Sequence, residues 1–150
     1  MKTTLKPKNN LGGLLKIWAV PQSVISVNKK TVTITSLENV YEILFTVDSL
    51  FLKQEPKKTA SGIHFDTVVS CFVPGNTEHN LDAIAEMENK PFELILADGN
   101  ESYLHIGERN YPLRLNGSLT QGKTIGDLAG FEISFSGNTI SRAAFIDNPF

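Results

Sequence analysis

From Leu14 onward the chain is a succession of short apolar, β-prone runs separated by turn residues. "LLKIWAV" ends at Pro21. "SVISV" and "TVTIT" flank Asn28-Lys29-Lys30 and predict a hairpin. Val32 and Ile34 alternate with threonines, which buries one face. "YEILFTV" reads as a further strand, with "SLFLKQE" as its continuation beyond Asp48, and "KKTASG" (residues 57–62) as a polar loop. The clearest long strand is "IHFDTVVSCFV". It places Ile63, Phe65, Thr67, Val69, Cys71 and Val73 on one face, and His64, Asp66, Val68, Ser70 and Phe72 on the other. Pro74-Gly75-Asn76 stops it.

Periodicity then changes from two to 3.6 in "TEHNLDAIAEMENK". Asn76 or Thr77 is the N-cap, and Leu81, Ile84, Ala85 and Met87 form the apolar stripe. Lys90 suits the C-terminal dipole, and Pro91 ends the helix. The remainder is β again. "FELILA" turns at Asp98-Gly99-Asn100 into "SYLHI", which turns at Gly107 to Asn110 into "YPLRL". A loop over residues 116–130 leads to "FEISFS", Gly137-Asn138 makes a turn, and "ISRAAFI" closes the chain. The pattern predicts a mainly β fold, a sandwich or barrel of roughly nine to eleven mostly antiparallel strands, with one α-helix at about residues 77–90. Residues 1–13, with Pro7, Asn9, Asn10 and Gly12-Gly13, read as an extended arm, and residues 14–150 as a single β-rich domain.

Composition narrows this only a little. The 150 residues are enough for one sizeable core. Cys71 is the only cysteine, so no intrachain disulfide forms. No apolar run reaches the ~18–20 residues of a membrane span, and Lys16 breaks the resemblance of the opening residues to a secretion signal. Charge is more informative. Residues 1–37 carry six lysines and no acid, whereas residues 77–108 carry eight acids and one lysine, so the two stretches hold +6 and −7. Such segregation fits two solvated faces, a nucleic-acid face, or two faces that attract each other between copies.

"GSLTQGKT", Gly117 to Thr124, matches the phosphate-loop pattern G-x-x-x-x-G-K-[ST] letter for letter. A chance match in a chain of this size is roughly a one-in-two-hundred event at average composition, so context must decide. A phosphate loop leaves a strand and enters a helix whose N-terminus faces the anion. Here "IGDLAG" follows, too glycine-rich and too short for a helix before the strand at Phe131. Gly117, Ser118, Gln121 and Gly122 are read as loop formers between strands.

The other candidate chemistry is sparse. His64, His79 and His105 lack metal-ligand spacing. Cys71 sits among apolar residues and reads as a small buried hydrophobe. Asp98, Asn100 and Ser102 imitate the start of a calcium loop, but Tyr103 and Arg109 occupy the positions that need glycine and glutamate. No nucleophile elbow is present. The residues therefore point to no enzyme, cofactor or metal, and Trp18 and Tyr41 read as core or interface aromatics.

The stretch from Ile63 to Phe150 resembles small β-rich structural proteins of phages and prophages of Bacteroidetes. The likeness is carried by Phe72, Pro74 and Gly75 ahead of a short acidic helix and by the Asp98-Gly99-Asn100 turn. It continues in the closing pattern of Phe131, Ser134, Phe135, Ser136, Gly137, Ala143 and Phe145. The resemblance implies a virion component, made in the bacterial host cytoplasm: a tail-tube, tail-cap or neck-connector subunit. Its partners would be copies of itself and neighbouring virion proteins. Its acidic residues would meet a neighbour's lysines or line a channel that DNA passes without sequence-specific binding, and no membrane is involved. The alternative is a β-sandwich binding module for carbohydrate or peptide, built on Trp18, Tyr41, Tyr103 and Tyr111.

Overall fold

The long alternating strand organises the molecule. In the computed structural model, which describes residues 13–121 and 129–150, it spans β6 (Gly62–Pro74). Thr67, Val69 and Cys71 point inward from it as the alternation requires. The other strands are β1 (Leu14–Pro21), β2 (Ile25–Asn28), β3 (Thr31–Ile34), β4 (Tyr41–Glu42), β5 (Phe51–Thr59), β7 (Phe92–Asp98), β8 (Tyr103–Ile106), β9 (Arg114–Thr120), β10 (Gly130–Thr139) and β11 (Ala144–Ile146). Helix α1 (Glu78–Met87) lies between β6 and β7. The mainly β fold with one helix read from the sequence is therefore the fold observed.

Two antiparallel sheets face each other. One has four strands in the order β5-β6-β10-β9, and the other has five in the order β11-β8-β7-β1-β4. Between them lies the main core, with Phe92, Phe131 and Phe135 fully enclosed and Ile84 and Met87 of α1 plugged into it. Phe92 meets Tyr41 and Phe135 edge-on, with ring centroids 5.8 Å apart in both pairs. The hairpin β2-β3 covers the far face of the five-stranded sheet, where Val32 packs with Val20, Ile95 and Ile146. That second layer explains why "FELILA" does not alternate: β7 is covered on both faces. Inward-facing Thr67 is accommodated because its hydroxyl meets Thr139 Oγ1 at 3.2 Å and accepts from Gln54 Nε2 at 3.0 Å.

The two sheets are also stitched together at their margins. Phe92 and Leu113 exchange both backbone hydrogen bonds at 2.9 Å. On the other side, Ile43 N–H donates to Ile17 and Thr46 N–H to Phe72, so one short segment bonds both sheets.

Several boundaries differ from the sequence reading. "YEILFTV" is strand only at Tyr41–Glu42, because the chain then crosses between the sheets and turns at Asp48, where φ is 64°. The loop expected at 57–62 shrinks to a tight turn, since Lys57, Lys58 and Thr59 still pair with β6. Pro56 is tolerated there because β5 is an edge strand. Of the loop expected at 116–130, residues 116–120 lie in strand β9, Gly130 opens β10, and residues 122–128 lie outside the described residues. Gly137 and Asn138 do not turn but lie within β10 opposite Thr67 and Asp66. The helix is shorter than 77–90. Thr77 is its cap, accepting from Asn80 N–H at 3.2 Å, and Leu81 and Ala85 face water. Of the arm expected at 1–13, only Gly13 belongs to the described residues.

Candidate functional site

The first half of the phosphate-loop pattern is strand. Gly117, Ser118, Leu119 and Thr120 lie in β9 opposite Ile133, Glu132, Phe131 and Gly130. Gly122, Lys123 and Thr124 lie outside the described residues. Gly117 itself has a packing explanation: a Cβ there would sit 2.8 Å from Ile84 Cγ2, so the helix rests directly on its backbone.

The candidate titratable groups are dispersed. His64 lies 3.8 Å from Asp66 on β6, His79 opens α1, and His105 is buried on β8. Cys71 is buried, and that burial pushes its thiol up to about 11. No group of three or more His, Cys, Asp or Glu able to hold a metal is present among the described residues. Asp98 serves its turn, accepting from Asn100 N–H at 2.8 Å and Ser102 N–H at 3.0 Å. The aromatics are also engaged. Trp18 packs against Tyr103 and Phe150, with centroids 6.2 and 4.5 Å away. Tyr41 Oη donates to Glu86 Oε1 at 2.7 Å and accepts from Lys90 Nζ at 2.9 Å, while Lys90 donates to the same carboxylate oxygen at 2.7 Å.

One titratable pair escaped the sequence reading. Glu93 and His105 are both buried, with Oε2 and Nε2 3.6 Å apart, and Nε2 has no hydrogen-bond partner among the described residues. The only hint in the sequence is a lone glutamate inside the apolar run of β7. The pair lies beneath a cleft of about 390 Å³ formed with Lys29, Glu108 and Arg142, and it is the one place among the described residues where a carboxyl group enters the interior.

The larger feature is a continuous surface around the start of β1. Leu15 lines both a cleft of about 680 Å³ against Asp98, Tyr103 and Phe145 and a cleft of about 250 Å³ against residues 42–48. Leu44 continues from the second into a third, of about 600 Å³, between the 41–44 segment and α1, floored by Ile84, Met87 and Ile133. Large apolar side chains stand in water along it: Leu15 at 64%, Leu44 at 77%, Val47 at 81% and Phe145 at 62% exposure. Asp98, Glu101 and Asp147 flank the first cleft, and Glu42 and Asp82 the third. Lys16 is the only lysine or arginine among the described residues lining any of the three.

This surface was not legible in the sequence. "LLKIWAV" and "YEILFTV" read as strands with a buried face, and only the crossing of the chain at residues 43–48 turns Leu44 and Val47 outward. No helix among the described residues is long and apolar enough to cross a membrane. Comparison of the chain with protein-family models, curated proteins and solved structures finds no match.

Proposed function

We propose that the chain is a self-assembling virion structural subunit of phage type, part of a tail tube, tail cap or neck connector, that works by assembly rather than by catalysis. Its partners are copies of itself and neighbouring virion proteins, and its place is the virion after synthesis in the bacterial host cytoplasm. The observation that carries this reading is the apolar surface through Leu15, Leu44, Val47 and Phe145. A contiguous apolar patch with a charged rim marks a protein–protein contact. The segregation of lysines from acids along the sequence gives copies complementary faces. The resemblance of residues 63–150 to phage structural proteins supplies the class.

The alternative binding module draws less support. Trp18, Tyr41 and Tyr103 are taken up by packing or by hydrogen bonds rather than presented together in a cleft. The test is molar mass by light scattering across concentration, joined to electron microscopy of the concentrated sample. Rings, tubes or a defined oligomer are expected, weakened by Leu44→Glu. A chain that stays monomeric at every concentration refutes the proposal.

A further inference from the structure

We infer that the groove running from Phe145 past Leu15 and Leu44 to α1 receives the lysine-rich residues 1–12 of a second copy of this chain. The inference rests on the self-assembly reading and adds the surface, the segment and the chemistry of the contact. Three observations carry it. The first is charge. The groove presents Asp98, Glu101, Asp147, Glu42 and Asp82 with Lys16 as its only lysine or arginine among the described residues, whereas residues 1–12 hold Lys2, Lys6 and Lys8 and no acid. The second is apolar pattern. Leu5 and Leu11 are interspersed with those lysines, so one segment brings a partner for each of the two side-chain classes that the groove displays, lysine for its acids and leucine for its apolar residues.

The third is position. Gly13, where the described chain begins, lines the middle of the three clefts. Twelve residues extended reach roughly 40 Å, far enough to pass from one groove into a neighbour's when two such surfaces meet. Two leucines cannot cover Leu15, Leu44, Val47 and Phe145 at their exposures of 62–81%. A second copy supplies the surface around its segment as well as the segment itself. Glu86 takes no part, because Lys90 already holds it.

The test uses the full chain, mixed as equal parts unlabelled and nitrogen-15 labelled protein at a concentration where oligomer is present. Carbodiimide joins lysine amines to adjacent carboxylates without a spacer, and mass spectrometry assigns the linked peptides. Mixed-isotope links between Lys2, Lys6 or Lys8 and Asp98, Glu101, Asp147, Glu42 or Asp82 are expected. Lys2→Glu, Lys6→Glu and Lys8→Glu together should raise the dissociation constant about tenfold or more. Glu42→Lys with Glu101→Lys in the same chain should restore it. Links confined to one isotope, which place the segment on its own copy, overturn the inference, and so does an oligomer without such links. Either result leaves self-association standing, whereas a monomer at all concentrations removes both.

Discussion

Replacing Gly117 by alanine places a methyl 2.8 Å from Ile84 Cγ2, about 1 Å inside ordinary carbon–carbon contact. Backbone conformation is no obstacle, since Gly117 is an ordinary β9 residue without positive φ. The perturbation is therefore almost purely steric. Overpacking of this kind costs about 1–3 kcal/mol. Against it stands a gain of about 0.5–1 kcal/mol from the smaller freedom of alanine in the unfolded chain. The net loss is about 0–2.5 kcal/mol, lowering Tm by up to about 10 °C for a chain of this length. Ile84→Ala alone empties part of the core and costs about 2–5 kcal/mol. In the double variant the clashing methyl is gone and the new one stands where it was. The two changes should then be less harmful together than their sum, by about 1–3 kcal/mol. Urea unfolding of the four proteins, followed by Trp18 fluorescence, measures the cycle. Losses that add to within about 0.5 kcal/mol would refute the packing explanation of the first glycine in the phosphate-loop pattern.

Three further outcomes follow from the same geometry. Hydrogen bonds from Lys90 and then Tyr41 hold the Glu86 carboxyl below its ordinary 4.5, so its contribution is present above that pH and is lost as pH falls through the lowered value. Burial, then the bond to Glu86, raises Tyr41 above 10.0, so the neutral phenol's contribution is complete below 10.0 and is lost as pH rises through the raised value. Urea midpoints against pH should show both flanks, with Tyr41→Phe flattening the alkaline one; an unchanged alkaline flank contradicts the assignment. Cys71, with its thiol pushed up to about 11, should react with an aromatic disulfide reagent at pH 8 only after unfolding, and rapid reaction in native buffer contradicts its burial. His105→Leu leaves the buried Glu93 side chain facing an apolar group and should cost about 1–3 kcal/mol, while Glu93→Leu with His105→Leu should recover much of that; a single variant as stable as the parent sinks the pairing.

Much of the scaffold is written locally. Alternation in "IHFDTVVSCFV" places Thr67, Val69 and Cys71 inside. Residues 28–31 join β2 to β3 as the hairpin reading expected, and Thr77 caps α1 with its own hydroxyl. These features depend on backbone sterics, side-chain alternation and bonds a few residues apart, so a window of sequence contains their cause. Boundaries were misplaced where a neighbouring strand decides them. Gly137 and Asn138 carry turn chemistry but are held extended by β6, and Gly117 to Thr120 look like loop but are held by β10.

The sequence by itself therefore determined the β-rich class, the single helix, the core face of β6 and the segregation of lysines from acids. Tertiary structure alone decided that β7 is covered on both faces, that Glu93 and His105 meet in the interior, and that Leu15, Leu44, Val47 and Phe145 stand in water along an acidic groove. The physical reason is range. Periodicity and turn chemistry act between near neighbours in the chain. Burial of a whole strand, the meeting of a carboxylate with an imidazole and the exposure of an apolar side chain depend on which distant segments arrive beside it, and no local pattern encodes that arrival.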